Sequence, residues 1–300
     1  MNTNKSSSFP SICIVGLGLI GGSLCKLIRS IYPDTIIYAI SRRQETIEYA
    51  IKESIIDRGF TSLTDCPSSM SLVIVCTPIS ILSDKINESF SHFSDMTLVT
   101  DIGSTKKQVI KNVHSDYSDR YIPGHPMGGS ECTGVEKSSL VLMKNVPYLL
   151  IKQKNEPDLF LANLSILKIW LDSLSFKTHI MSADQHDLMI GYVSHLPYLL
   201  ASSLSGEARS FSDQDQQTIS QVFGPGFRDT SRVAESDPSW GVDVCSTNKK
   251  ALLQLIPSVI KKLTHMHTLI ENGDMKELKT VLRQNKDVRH QLISATQRTP

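Results

Sequence analysis

The chain has 300 residues, 40% hydrophobic and 20% charged, the composition of an ordinary globular protein long enough for two domains. A formal net charge of +1 gives no overall attraction to nucleic acid or to an anionic membrane, so any anion must be held by local basic groups. The six cysteines are scattered, with no C-x-x-C pair and no metal-ligand spacing, so reduced thiols and no metal site are expected.

Residues 1–10 are polar and serine-rich and read as a disordered leader. No signal peptide and no apolar stretch of spanning length is seen, which predicts a soluble, cytoplasmic protein. From 11 to 182, short β-branched runs alternate with helical stretches. The runs are 11–15, 35–40, 72–76, 97–100, 121–122, 148–151 and 178–181. Several are apolar throughout, as parallel strands covered on both faces should be. Helices are predicted at 23–31, 44–52 and 158–174, giving a doubly wound α/β sheet. After 183 the strands stop, and helical periods appear at 185–211, with Pro197 expected to bend the helix, at 249–271 and at 274–293. An all-α domain over 183–300 therefore follows the α/β domain, and its long amphipathic helices suggest a homodimer.

The first strand runs into Gly16-Leu17-Gly18-Leu19-Ile20-Gly21, then a helix, then a second strand, all within about 30 residues. In that setting Gly16 makes the tight turn, Gly18 lets backbone approach a pyrophosphate, and Gly21 permits close helix–strand packing. Leu19 and Ile20 open the helix whose free N–H groups would face the phosphates. This is a Rossmann-type dinucleotide-binding domain. NAD binders usually carry an acid at the end of the second strand; here Ser41-Arg42-Arg43 stands instead, which favours the 2′-phosphate of NADP over NAD. Thr77, after the strand at 72–76, and Asp101, at the end of the strand at 97–100, complete the expected cofactor residues.

Three later segments carry chemistry. Asp101-Ile102-Gly103-Ser104-Thr105-Lys106 leaves the carboxyl edge of the sheet and offers a hydroxyl and a cation together. Gly124-His125-Pro126-Met127-Gly128-Gly129-Ser130 places a histidine in a glycine-rich loop, suited to proton transfer near neutrality. Gly226-Phe227-Arg228-Asp229-Thr230-Ser231-Arg232 has two arginines, one able to pair with Asp229 and the other free to bind a carboxylate bidentately.

With Ser194-His195-Leu196-Pro197 added, these motifs in order resemble the prephenate/arogenate dehydrogenase family of tyrosine biosynthesis, over about residues 11–293. The Ser41–Arg43 and Gly226–Arg232 segments most resemble its cyanobacterial-type, NADP-using arogenate dehydrogenases. The resemblance implies an oxidative decarboxylation of prephenate or arogenate, with neither a chorismate mutase region nor an ACT domain attached. It implies His125 as the base toward the ring hydroxyl and Ser104 as its support. Arg232 would take a substrate carboxylate, and His195 and Ser130 would hold the substrate. His186, Asp187 and Asn248 also match the pattern, without an assigned role. Asp237-Pro238-Ser239-Trp240 is one residue shorter than the family spacing, so Trp240 is left unassigned. Competing readings are a β-hydroxyacid dehydrogenase or imine reductase, which would use a helix-borne lysine or aspartate, and a non-catalytic NADP-sensing protein.

Overall fold

The computed structural model describes residues 6–297 apart from 131, 153 and 155, with the side chains of 295–297 also left aside. Six strands form a parallel sheet in the order β3-β2-β1-β4-β5-β6, the doubly wound arrangement of dinucleotide-binding domains. They are β1 (Ser11–Val15), β2 (Ile36–Ile40), β3 (Arg58–Phe60), β4 (Leu72–Val75), β5 (Leu98–Asp101) and β6 (Tyr121–Ile122). Alternate residues of β1 serve opposite faces, as the two-residue period demands. Ile12 and Ile14 join one core with α1 (Leu19–Ile31) and α5 (Asp158–Ser173). Cys13 and Val15 join the other with α3 (Ile79–His92). Covered on both sides, β4 is buried at every position.

A second sheet orders β7 (Gly124–Pro126), β8 (Pro147–Ile151) and β9 (Lys177–Met181), with β7 antiparallel and β9 parallel to β8. Two short helices, α2 (Gln44–Lys52) and α4 (Lys107–Asn112), complete this half. The polar leader ends earlier than residue 10. Phe9 is buried edge-on against Trp170, whose indole N–H donates to Ser7 Oγ; residues 1–5 lie outside the described residues.

Beyond β9 the described residues are helical, as expected. A Ser182/Gln185 capping box opens α6 (Ala183–Ile190), a π turn follows over Gly191–His195, and α7 (Leu196–Glu207) continues it. Pro197 sits in the first turn of α7, where its missing donor is tolerated, so the irregularity lies just upstream of it. Then come α8 (Asp213–Val222), α9 (Pro225–Ser231), α10 (Pro238–Thr247), α11 (Lys249–Glu271) and α12 (Met275–Gln297). The chain forms two compact units, one up to Ala251 and one from Leu252. In the second, Gly273 takes a positive φ of 69° between the two helices and the Asp274 carboxylate accepts the Glu277 N–H. No helix among the described residues is long and apolar enough to cross a membrane.

Candidate active site

The glycine turn joins β1 to α1. Gly16 holds φ of +105°, and a Cβ there would stand 2.7 Å from the Cys76 carbonyl oxygen. A Cβ on Gly21 would stand 2.5 Å from the Gly16 oxygen. At Gly18 a Cβ would meet nothing within 4 Å, so this glycine keeps space clear for something other than protein. Gly18 is also the N-cap of α1, with no side-chain cap, leaving the first N–H groups of the helix for an anion.

The turn borders a cleft of about 990 Å³ whose walls include Gly16, Gly18, Ser41, Arg42, Arg43 and Thr77. Neither guanidinium has an ion-pair or hydrogen-bond partner among the described residues, and Thr77 Oγ1 is buried without one. An open backbone, an uncapped helix start, unspent cations and an orphaned hydroxyl together fit a dinucleotide. Leu19 is buried in α1; Ile20 reaches the loop after His125, its Cδ1 3.7 Å from where a Cβ on Gly129 would be.

The titratable groups gather where β5, β7 and α6 meet. His125 lies on strand β7, rather than in a loop, and is only 8% exposed. Its Nδ1 is 2.9 Å from His186 Nε2, and His186 Nδ1 is 2.8 Å from Asp187 Oδ1. Asp187 accepts the backbone N–H groups of Lys106 at 2.8 Å and Lys107 at 3.0 Å. Asn248 Nδ2 donates to the Asp187 carbonyl at 2.7 Å and lies 3.1 Å from His195 Nδ1.

Burial first, then the neighbouring His186, Lys106 and His195, holds the His125 pKa well below the ordinary imidazole value. Burial lowers His186 as well, partly opposed by its bond to Asp187. His195 is brought down to about 4 by burial, with Asp187 raising it and His186 lowering it. All three rings are therefore neutral near pH 7. His195 Nε2 and Ser104 Oγ are buried without a partner, two polar atoms left for a ligand.

Asp101 does not face the cofactor cleft. It is fully buried, ion-paired with Lys106, and accepts Tyr121 Oη at 2.9 Å and the N–H groups of Gly103 and Gly124 at 2.8 and 3.2 Å. With both oxygens spent, it fixes the Ser104 loop against the residue preceding His125. Lys106 offers no cation either: Nζ is buried on Asp101 and the Gly124 carbonyl. Burial lowers its pKa and Asp101 partly restores it.

Ser130 is exposed, its Oγ accepting the Cys132 N–H at 3.2 Å, and no bond among the described residues joins it to the histidine cluster. Arg232 is exposed on a short turn that packs against α7, the helix directly after His195. Arg228 lies over the Phe223 ring at 5.8 Å. The ring of Trp240, which its shortened spacing leaves unassigned, sits 5.9 Å from His195 and 5.2 Å from Tyr198, both edge-on.

Comparison with known proteins bears on this arrangement. The nucleotide-binding domain of prephenate dehydrogenase matches residues 24–173, and the dimerization domain of prephenate dehydrogenase matches 182–284. The chain belongs to the prephenate dehydrogenase family. Membership makes it an NAD(P)-dependent oxidoreductase. It is 30% identical to a prephenate dehydrogenase of Lactococcus lactis over 93% of this chain and 76% of that one. Among solved structures, a prephenate dehydrogenase from A. aeolicus with hydroxyphenyl propionate and NAD+ matches with a TM-score of 0.88 at 30% identity. It covers 96% of this chain and 100% of the other. Synechocystis arogenate dehydrogenase matches with a TM-score of 0.79 at 28% identity, covering 94% and 99%.

Proposed function

We propose that the chain carries out the oxidative decarboxylation of prephenate or arogenate in tyrosine biosynthesis, with NADP preferred over NAD. The observation that carries the reading is the buried, neutral His125, bonded through Nδ1 alone and set in one network with the orphaned His195 Nε2. Such an imidazole has Nε2 available for a hydroxyl proton. When bound, the nicotinamide accepts a hydride from the ring carbon bearing that hydroxyl.

His125 takes the proton as the hydride leaves. Carbon dioxide then departs from the opposite ring carbon, and the electron pair of the broken C–C bond completes the aromatic ring. His125 returns the proton to the oxygen, so acid and base balance over the cycle. Ser104 Oγ supports the same hydroxyl. His195, Ser130 and Arg232 hold the substrate, Arg232 through a carboxylate. Gly16, Gly18, Leu19, Ile20, Gly21 and Thr77 hold the cofactor through the turn and the opposing wall. Arg42 and Arg43, which lack partners among the described residues, meet the 2′-phosphate, with Ser41 standing where NAD binders carry an acid at the end of the second strand.

An assay of NAD(P)H formation crossing both substrates with both cofactors tests this. Turnover with at least one substrate, and a higher kcat/KM with NADP, is expected. Arg42→Ala/Arg43→Ala should remove the preference. Equal or better use of NAD would overturn the NADP reading, and cofactor binding without turnover on either substrate would point to a sensing role.

A further inference from the structure

The hydrogen bonds behind His125 and His195 leave each ring one tautomer. Asp187 accepts two backbone N–H groups, so toward His186 it is an acceptor, and His186 Nδ1 must carry the proton it shares. A neutral His186 then has a lone pair at Nε2, and the partner atom, His125 Nδ1, must be the donor. That leaves the lone pair of His125 at Nε2.

The other branch runs the opposite way. The Asn248 nitrogen is fixed by the Asp187 carbonyl, which only accepts, so its second N–H points at His195 Nδ1. His195 Nδ1 is thus an acceptor and Nε2 bears the proton. That Nε2–H is buried and lacks a protein partner.

We propose that Asp187 sets the two histidines in opposite tautomers, through His186 on one side and Asn248 on the other, so that of the two rings one presents a proton acceptor, His125 Nε2, and the other a donor, His195 Nε2–H. His186, Asp187 and Asn248 are positioning residues in this scheme, which rests on the proposed function for what the acceptor and donor act upon. The hydroxyl proton goes to His125 Nε2, and the positive charge that forms is shared through His186 with the Asp187 carboxylate. His195 donates to a substrate oxygen and gives up no proton. A carboxylate that orients an imidazole by fixing its tautomer is worth orders of magnitude in turnover.

Two-bond proton–nitrogen correlation spectra of the full chain, labelled with ¹⁵N in its imidazoles and recorded near neutral pH, test this directly. His125→Asn and His195→Asn spectra assign the two signals. The expected result is the Nδ1–H form for His125 and the Nε2–H form for His195. In His186→Leu the acceptor for His125 Nδ1 is gone, so the Nε2–H form should appear, and kcat should fall about 10²–10⁴-fold with KM little changed. The proposal is overturned by the Nε2–H form of His125 or the Nδ1–H form of His195 in the wild-type spectrum, which needs no variant to fold. It is also overturned if His186→Leu keeps full turnover, or loses it with the His125 tautomer unchanged. Failure of the functional reading looks different: no turnover by the wild type on either substrate, with the tautomers still readable.

Discussion

His125 is held by a single ring nitrogen in a buried pocket, and the consequences can be measured one residue at a time. His125→Asn keeps a polar group of similar reach but no titratable lone pair. Turnover should drop by about 10²–10⁴ while the melting temperature and cofactor affinity stay close to wild type. A loss of less than tenfold would remove His125 from the chemistry. The same burial has a cost in acid. For His125, His186 and His195 the folded pKa lies below that of the unfolded chain, so between the two values the unfolded state binds protons the folded state refuses. The stability these neutral rings allow is fully present above about pH 6.5 and is lost as pH falls toward the His195 value of about 4. The charged groups facing them, Lys106 and Asp187, act in opposite senses, and Lys106 is itself paired with Asp101. Urea midpoints by circular dichroism should therefore decline on acidification through that window, less steeply in His195→Gln. A flat midpoint there would contradict the assignment.

At the level of elements, the glycine turn separates folding from binding. Gly21→Ala drives a methyl into the Gly16 carbonyl at 2.5 Å, and destabilisation of about 1–3 kcal/mol is expected by chemical denaturation. Gly18→Ala meets no protein atom within 4 Å and sits at an extended φ of −110°, so stability should hold. Its methyl instead occupies the space reserved for the pyrophosphate, and cofactor affinity by fluorescence titration should weaken on the order of tenfold or more. Equal effects on both properties in both variants would refute the division of labour. The contrast also shows what could be read from sequence. The apolar strands β1, β2 and β4 and the helix α1 announce themselves because each buries a continuous or periodic set of side chains. β3 and β7 do not: each is three residues long, and Gly124-His125-Pro126 reads locally as a turn, its pairing to β8 being a tertiary event. Asp101, expected at the cofactor, instead pairs with a buried lysine, because an acid at the carboxyl edge of a strand looks the same in sequence whichever of the two it faces. His186 and Asp187 carried a legible signal in the Ser182/Gln185 capping box that fixes the start of α6, but the bond to His125 could not be read across sixty residues. Spacing alone does not place Trp240, because Asp237 caps a new helix and so resets where the ring lands.

On the scale of the whole molecule, the second compact unit poses a physical problem. Among the described residues from Leu252 onward, only Leu252 and Leu269 are buried hydrophobics. A two-helix unit of this size does not bury enough apolar surface to stand by itself. On α11, Leu253, Ile260, Leu263 and Ile270 are exposed and recur at intervals of seven, three and seven, the seam spacing of helices that pack against helices. Leu282, Val288 and Leu292 are exposed on α12. A second copy of the chain is the simplest cover for such a face, and the family match over this region is to a dimerization domain. Light scattering at micromolar concentration should give about twice the 33.3 kDa of one chain. Ile260→Asp/Leu263→Asp places two carboxylates in that seam, where a charge left unpaired in an apolar interface is strongly unfavourable, and should shift the mass to that of one chain. If dimerization also completes the fold of this unit, the variant should lose helicity and melting temperature together with its partner, and the loss should become less severe as protein concentration rises. A wild-type monomer, or a double variant that stays dimeric, would mean that these helices do not form the seam.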